Sequence, residues 1–414
     1  MVLSLLRYGL RRRHVPWRVI PPTPDRFKPS YDVVIVGGGG HALAAAYYLA
    51  HRHDITNVAV VERGWLAGGN TARNTAIIRS NYLTPEGVQF YDQSVRLWRT
   101  ISNDLGINVM VSERGHLTLA HTDAAIRTMR WRAEVNKHYG VASEVVGPAE
   151  IAALCPELNL SHEVRYPVLG ALYHPPGGIA RHDAVAWGYA MGAAARGVEI
   201  HQMTEVTGFD IDHGRVTGVR TTRGTMRTGR VLQAVAGNSS RVAALAGFRL
   251  PIRTVPLQAC VSEPVKPFLD TVIVSGSLHV YISQTARGEF VMGGATDPYA
   301  LYAQRSTLEF KETLFSDMLE LFPQLAHMKM LRQWAGLADM TPDFSPVMGL
   351  TPVENYFIDS GWGTWGFKAT PVCGLTMAAT VATGKPHALI EGFALDRFAR
   401  FDQIGERGAA SVGS

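Results

Sequence analysis

The stretch YDVVIVGGGGHALAAAYYLA, residues 31–50, constrains the fold of this chain more than any other part of it. A short apolar run ends in four glycines and passes directly into an alanine-rich, helix-forming segment. Gly37, Gly39 and Ala42 stand in the GxGxxG/A arrangement that joins the first strand of a βαβ unit to its helix. Gly37 permits the tight turn, Gly39 lets backbone approach a pyrophosphate, and Ala42 lets the helix lie close on the strand. Free N–H groups at the start of that helix favour a phosphate. A second apolar run, NVAVVE, closes the unit on Glu62, placed to accept hydrogen bonds from an adenosine ribose and to disfavour a 2′-phosphate. The polar, glycine-bearing loop that follows, RGWLAGGNTARNTAIIRS, suits an extended flavin nucleotide, so FAD is favoured over NAD. Gly69, Asn70, Asn74 and Thr75 are its candidate contacts.

Beyond this unit the pattern changes. Amphipathic, helix-like stretches run to about residue 155, and β-branched runs punctuated by DHGR and RGT then read as a meander of hairpins. LHVYIS and EFVMGG are strand candidates, LEFKETLFSDMLELFP is a helix candidate, and the segment 355–384 returns to strand, glycine-rich loop and helix. The expected architecture is α/β (α+β): a Rossmann-like FAD-binding domain assembled from separated segments, with an inserted, mostly antiparallel β substrate domain. The FAD-binding domain is assigned to 31–80, 160–245 and 335–395, and the substrate and interface domain to 81–159 and 246–334. Residues 1–30 read as an arm for docking a partner subunit, and 396–414 as a tail.

With 46% hydrophobic and 18% charged residues, the chain falls outside the disordered class. Its net charge of +5 is mild and gathers in the first thirty residues, which implies no nucleic acid. No apolar run reaches the roughly 18 residues that span a bilayer, so no membrane is expected. Cys155, Cys260 and Cys373 are odd in number and far apart, which suggests neither disulfides nor a CxxC site and fits a reducing cytoplasm. No HxH, HExxH or GxSxG spacing supports a metal site or a serine hydrolase.

Further cofactor contacts are expected from Gly237 in QAVAGNSS, where a strand ends in a small-residue turn, and from Val206 in TEVTGF, placed to meet the adenine. In GWGTWGFKATP, Gly363 and Gly366 allow backbone to lie against a flavin ring. His41 reads as a cap of the first helical turn or a flavin neighbour, and His279 as a packed strand histidine or a cavity residue. In RHD, Asp183 reads as the N-cap of a helix.

Four motifs, YDVVIVGGGGH, GWLAGGNTARNTAIIRSNYL, YHPPGGIARHDAVAWG and GWGTWGFKATP, together resemble the β subunits of heterotetrameric sarcosine oxidases across nearly the whole chain. The resemblance implies an FAD-dependent amine oxidoreductase, with the fold of D-amino-acid and glycine oxidases. It further implies noncovalent FAD, since members with covalent FAD carry a cysteine in the segment matching WAGLADMTPD and this chain has none there. A second flavin, FMN, is implied on a histidine, and His174, beside the rigid Pro175-Pro176, is the matching position. Arg79 and Lys368 correspond to residues that grip the substrate carboxylate, and Arg79 has the planar fork for it. Partners implied are a large α subunit and small γ and δ subunits, with tetrahydrofolate intercepting the imine that water otherwise hydrolyses to formaldehyde. The related N-methylglutamate dehydrogenase is equally compatible with GWGTWGFKATP. A noncatalytic, FAD-bearing relay subunit is the alternative of another class.

Overall fold

The computed structural model describes residues 19–406. Residues 1–18, which hold most of the expected docking arm, and 407–414 lie outside the described residues.

Two sheets organise the chain. The first has six strands in the order 347–350, 356–360, 231–233, 33–36, 58–61 and 199–201. All pairs are parallel except the edge strand Val347–Leu350, which runs antiparallel to Tyr356–Ser360. Its central strands are continuous apolar runs because both faces are covered. Val33, Ile35, Val58 and Val60 face the helices Gly40–Arg52, Pro85–Leu105, His182–Ala194 and Thr370–Thr383. Val34, Val36, Ala59 and Val61 face a three-stranded antiparallel sheet, 206–227, through Phe209, Val216, Val219 and Met226. The expected meander of hairpins is that small sheet.

The second sheet has eight strands in the order 330–340, 253–262, 290–296, 280–284, 272–275, 116–120, 170–174 and 144–146. Leu117, Leu119, Ile273, Ile282 and Phe290 point to one face, where Leu314, Met318 and Leu321 of the helix Leu308–Leu321 cover them. Alternation along a strand turns their neighbours to the opposite face. That face looks toward the first sheet.

The segment boundaries differ in three places from those drawn on sequence. Gly170–His174 and most of Met330–Met340 belong to the eight-stranded sheet, while Pro85–Leu105 packs with the helices of the first layer. Residues 396–406 are tied down as well: buried Arg397 makes a two-pronged ion pair with buried Asp343, at 2.8 and 3.0 Å. His279 lies in the turn before Val280–Gln284 rather than inside the strand, with φ at 51°. Asp183 sits within the first turn of its helix, accepting the Ala184 N–H at 2.8 Å and pairing with Arg181, so it is not the N-cap.

Candidate active site

A cavity of about 430 Å³ runs between the two sheets, within the size range of cofactor and ligand sites. One end begins at the glycine turn. Gly37 has φ of 111°, and a side chain there would put its Cβ 2.3 Å from the Ala234 carbonyl oxygen. Gly39 at the N-cap has no side chain to cap the helix, Thr71 Oγ1 accepts the Gly40 N–H at 2.9 Å, and residues 36–41 line the cavity. Ala42 is fully buried under the helix, as its packing role requires. Glu62 accepts the backbone N–H groups of Gly38 and Gly64, both at 2.8 Å, which fixes its carboxylate in the cavity wall. Val206, Ala236 and Gly237 face it from the next connections. Gly237 has to be small, since its Cβ would lie 2.4 Å from that of Leu337.

The middle is walled by 69–77, 336–339 and 362–368. Gly69, Asn70, Asn74, Thr75, Gly363 and Gly366 all line it. The two asparagines spend their amides on backbone, however. Asn70 exchanges hydrogen bonds with Leu337, at 2.7 and 2.8 Å, and Asn74 accepts the Ala76 N–H at 2.6 Å and donates to Thr71. They shape the loop that would face a cofactor. Gly361 and Gly363 both have positive φ, and a Cβ at either would press on Thr341 or Met340.

His41 ties this loop to the glycine turn. Its Nδ1 lies 2.9 Å from Asp359 Oδ2 and its Nε2 lies 2.7 Å from the Gly366 carbonyl oxygen. Both nitrogens face acceptors, so the ring donates twice and is an imidazolium. Burial pulls its pKa down, but the Asp359 carboxylate and the Gly366 carbonyl outweigh that and raise it. Asp359 also accepts from Trp362 Nε1 at 2.5 Å and from Cys373 Sγ at 3.0 Å. His41, Asp359 and Cys373 have the spacing of a metal site. Proton donors already occupy the carboxylate, and burial drives the thiol away from the thiolate a metal needs. Asp339 is likewise buried, its pKa raised to about 7 by burial, and it accepts the Gly361 N–H at 2.6 Å.

The far end is electropositive. Arg79 is buried with its guanidinium 4.5 Å from the centre of the Tyr82 ring, and it donates to Asn81 at 3.0 and 3.1 Å. Lys368 lines the same wall, 7% exposed, and no carboxylate pairs with it among the described residues. Burial and then the neighbouring Arg79 push its ammonium well below its usual range. Sequence reasoning missed three residues here. His116, Trp365 and Tyr281 complete the wall, and only the alternation of apolar and polar residues in HLTLA hints that His116 turns away from the core.

His174 is enclosed within this chain. Its ring is fully buried. Nδ1 donates to the Ala142 carbonyl at 2.7 Å, and Nε2 accepts the Ser80 N–H at 3.2 Å. Burial lowers its pKa to about 3, so the ring is neutral. Pro175 and Pro176 turn the chain after it. The two glycines that follow are required by sheet contacts: a Cβ on Gly177 would lie 2.4 Å from that of His116, and one on Gly178 would lie 2.0 Å from Ser112 O.

Residues 32–380 match the model of the DAO family, FAD dependent oxidoreductases. The chain belongs to that family. It is 50% identical to the sarcosine oxidase subunit beta of Arthrobacter sp. over 93% of this chain and 95% of that protein. It is 46% identical to the Rhodobacter capsulatus subunit of the same name over 99% and 98%. Among solved structures, L-proline dehydrogenase from P. horikoshii superposes with a TM-score of 0.85 at 27% identity, covering 91% of this chain and all of that one. Glycine oxidase from Geobacillus kaustophilus, at 23% identity and a TM-score of 0.80 over 89% and 99%, shares the fold. The cavity fits the family's cofactor: it begins at a turn where a Cβ is excluded, holds a fixed carboxylate at ribose distance in sequence, and is lined by no cysteine among the described residues.

Proposed function

We propose that this chain, with FAD bound, oxidises an N-methyl amino acid, sarcosine being the reading carried from its relatives, as the FAD-bearing subunit of a larger complex. The observation that carries this reading is that Arg79 and Lys368, both nearly buried, line the same cavity as the glycine turn. A buried ammonium such as that of Lys368, with no carboxylate paired to it among the described residues, is costly without an anion. A substrate carboxylate supplies that anion.

Bound FAD would accept the hydride from the N-methyl carbon. The chain does the rest. Asn81 and Tyr82 hold the Arg79 guanidinium in place before substrate arrives, so little ordering is left to do on binding. An anion beside Lys368 restores the charge that burial suppresses. Trp362 and Trp365, each 5% exposed, exclude water from the reacting end. His41, as a fixed imidazolium, holds the loop 361–368 against the glycine turn.

The complex is read as containing a large α subunit with γ and δ subunits and an FMN that receives the electrons, attached through His174. The imine is hydrolysed to formaldehyde or trapped by tetrahydrofolate there. The test is steady-state assay of the assembled complex with sarcosine, N-methylglutamate and dimethylglycine, with and without oxygen, with peptide mapping of acid-stable flavin. Turnover of an N-methyl amino acid supports the reading. FAD binding without turnover of any of them would leave only the relay role.

A further inference from the structure

We propose that Arg132 and Asn136, one turn apart on the buried face of the helix Asp123–His138, are positioning residues that set the affinity of Arg79 for a carboxylate. The inference rests on the reading of Arg79 as part of the substrate's carboxylate site and says what fixes that side chain there.

The Arg79 guanidinium takes its hold from the two residues that follow Ser80. It donates to the carbonyl and side-chain oxygens of Asn81 and lies over the Tyr82 ring. Those two residues are held in turn from outside their own segment. Arg132 Nε donates to the Asn81 carbonyl oxygen, the same atom that accepts from Arg79, and Asn136 Nδ2 donates to the Tyr82 carbonyl oxygen at 2.6 Å. Residues four apart on a helix are neighbours on one face, so a single rigid element meets two successive carbonyls. That element is anchored elsewhere. Its Met129 and Ala133 pack on Ala120 and Leu172 of the eight-stranded sheet, and Thr122 caps its start by accepting the Ala125 N–H at 3.1 Å. Asn136 is itself fixed, accepting from Ser143 Oγ at 3.0 Å and donating to the Arg132 carbonyl at 2.8 Å. The eight-stranded sheet therefore sets, through this helix, the position of an arginine that lies outside it.

Arg132 brings charge as well as a hydrogen bond. It is 2% exposed, and its Nη2 is buried with no hydrogen-bond partner among the described residues. Glu406, the acid whose charge reaches it, already accepts the N–H groups of Leu83 and Thr84. Burial and then Arg79 lower the Arg132 pKa to about 9, which leaves it a cation at neutral pH. Two guanidinium groups that share one carbonyl oxygen repel each other. A carboxylate bound by Arg79 relieves that repulsion. A neutral, shorter side chain at 132 would free the Asn81 carbonyl to turn and remove the repulsion that an anion relieves, so Arg79 would be both less well placed and less in need of its partner.

The test uses the assembled, FAD-loaded complex, with acetate as the probe. Its dissociation constant is read from the shift it causes in the visible band of the oxidised flavin, and kcat and KM are measured for sarcosine. Arg132→Met should weaken acetate binding and raise KM by about tenfold, a coupling usual within one hydrogen-bond network, with kcat within about threefold of native. Arg132→Lys, which keeps a charge and a donor for the Asn81 carbonyl, should recover most of that loss. An Arg132→Met complex with full FAD and native acetate affinity overturns the proposal, as does a fall in kcat at unchanged KM. An Arg132→Lys complex no better than Arg132→Met also overturns it, since lost packing alone would do that. Where Arg132→Met fails to fold, Asn136→Ala decides: acetate binding weakened at least about threefold supports the proposal, and native binding overturns it. Acetate that neither shifts the native flavin band nor competes with sarcosine contradicts the carboxylate reading of Arg79 itself, a result distinct from native affinity in the variants.

Discussion

The two ends of the cavity are built on opposite principles. At the nucleotide end, side chains are excluded: Gly37 and Gly237 leave room that a single methyl group would fill, and Glu62 is held by two backbone amides. At the amine end, side chains are concentrated: Arg79, His116, Trp365 and Lys368 converge from distant segments into a buried, positive pocket. The first end binds through backbone shape and so tolerates no added bulk. The second binds through charge and so depends on what each side chain carries.

The largest expected effect lies at the first end. Gly37→Val places a β-branched residue at φ of 111° against the Ala234 carbonyl, so FAD content after purification should fall to background and the thermal transition should drop. A variant that retains FAD stoichiometrically breaks the claim that this end works by exclusion. At the second end, Arg79→Met or Lys368→Met should leave FAD bound and lower kcat/KM by about 100- to 1,000-fold, the cost of removing one partner of a buried charged contact. Equal loss of FAD in these variants would erase the division between the ends.

The buried histidines sharpen the comparison through pH. His174 has a folded pKa of about 3, below its unfolded value of about 6.5. Its contribution to stability is complete above the unfolded pKa and is lost as pH falls, because the unfolded chain then binds the extra proton. Between pH 7 and pH 5 this amounts to about 2 kcal/mol, measurable as a shift in denaturant midpoint that His174→Gln should remove. His41 has the opposite sign. Its raised pKa means that its contribution is present at low pH and fades as pH rises through the folded value. His41→Asn should therefore narrow the loss of stability on the alkaline side, the smallest of these effects.

Legibility in the sequence followed the same division. Strand, glycine turn, helix and Glu62 are contiguous, and each residue type has one local reason to be there, so the unit 31–62 and its cofactor were readable. Arg79 and Lys368 were found by resemblance, and the fold brings them to one wall. Asn70 and Asn74 line the cavity, yet their amides hold Leu337, Thr71 and Ala76, partners that spacing could not reveal. The surroundings of His174 are hidden in the sequence for a similar reason. Its two prolines are visible in the sequence, whereas the Ser80 and Ala142 groups that enclose it come from other elements. His116 was overlooked because a strand histidine gives no signal until the opposite face of the sheet is known. Reading His41 as a helix cap underestimated it, since Asp359 and the Gly366 carbonyl lie more than 300 residues away.

The central claim is that the amine end of the cavity holds the carboxylate of an N-methyl amino acid beside bound FAD. The most direct measurement is anaerobic mixing of the FAD-loaded complex with sarcosine or N-methyl-L-glutamate, following loss of the oxidised flavin's visible absorption in a single turnover. The native complex should bleach, and the Arg79→Met, Lys368→Met double variant, with equal FAD content, should bleach at least about 1,000-fold more slowly. Bleaching at the same rate in both, or no bleaching of the native complex by either amine, would contradict the account.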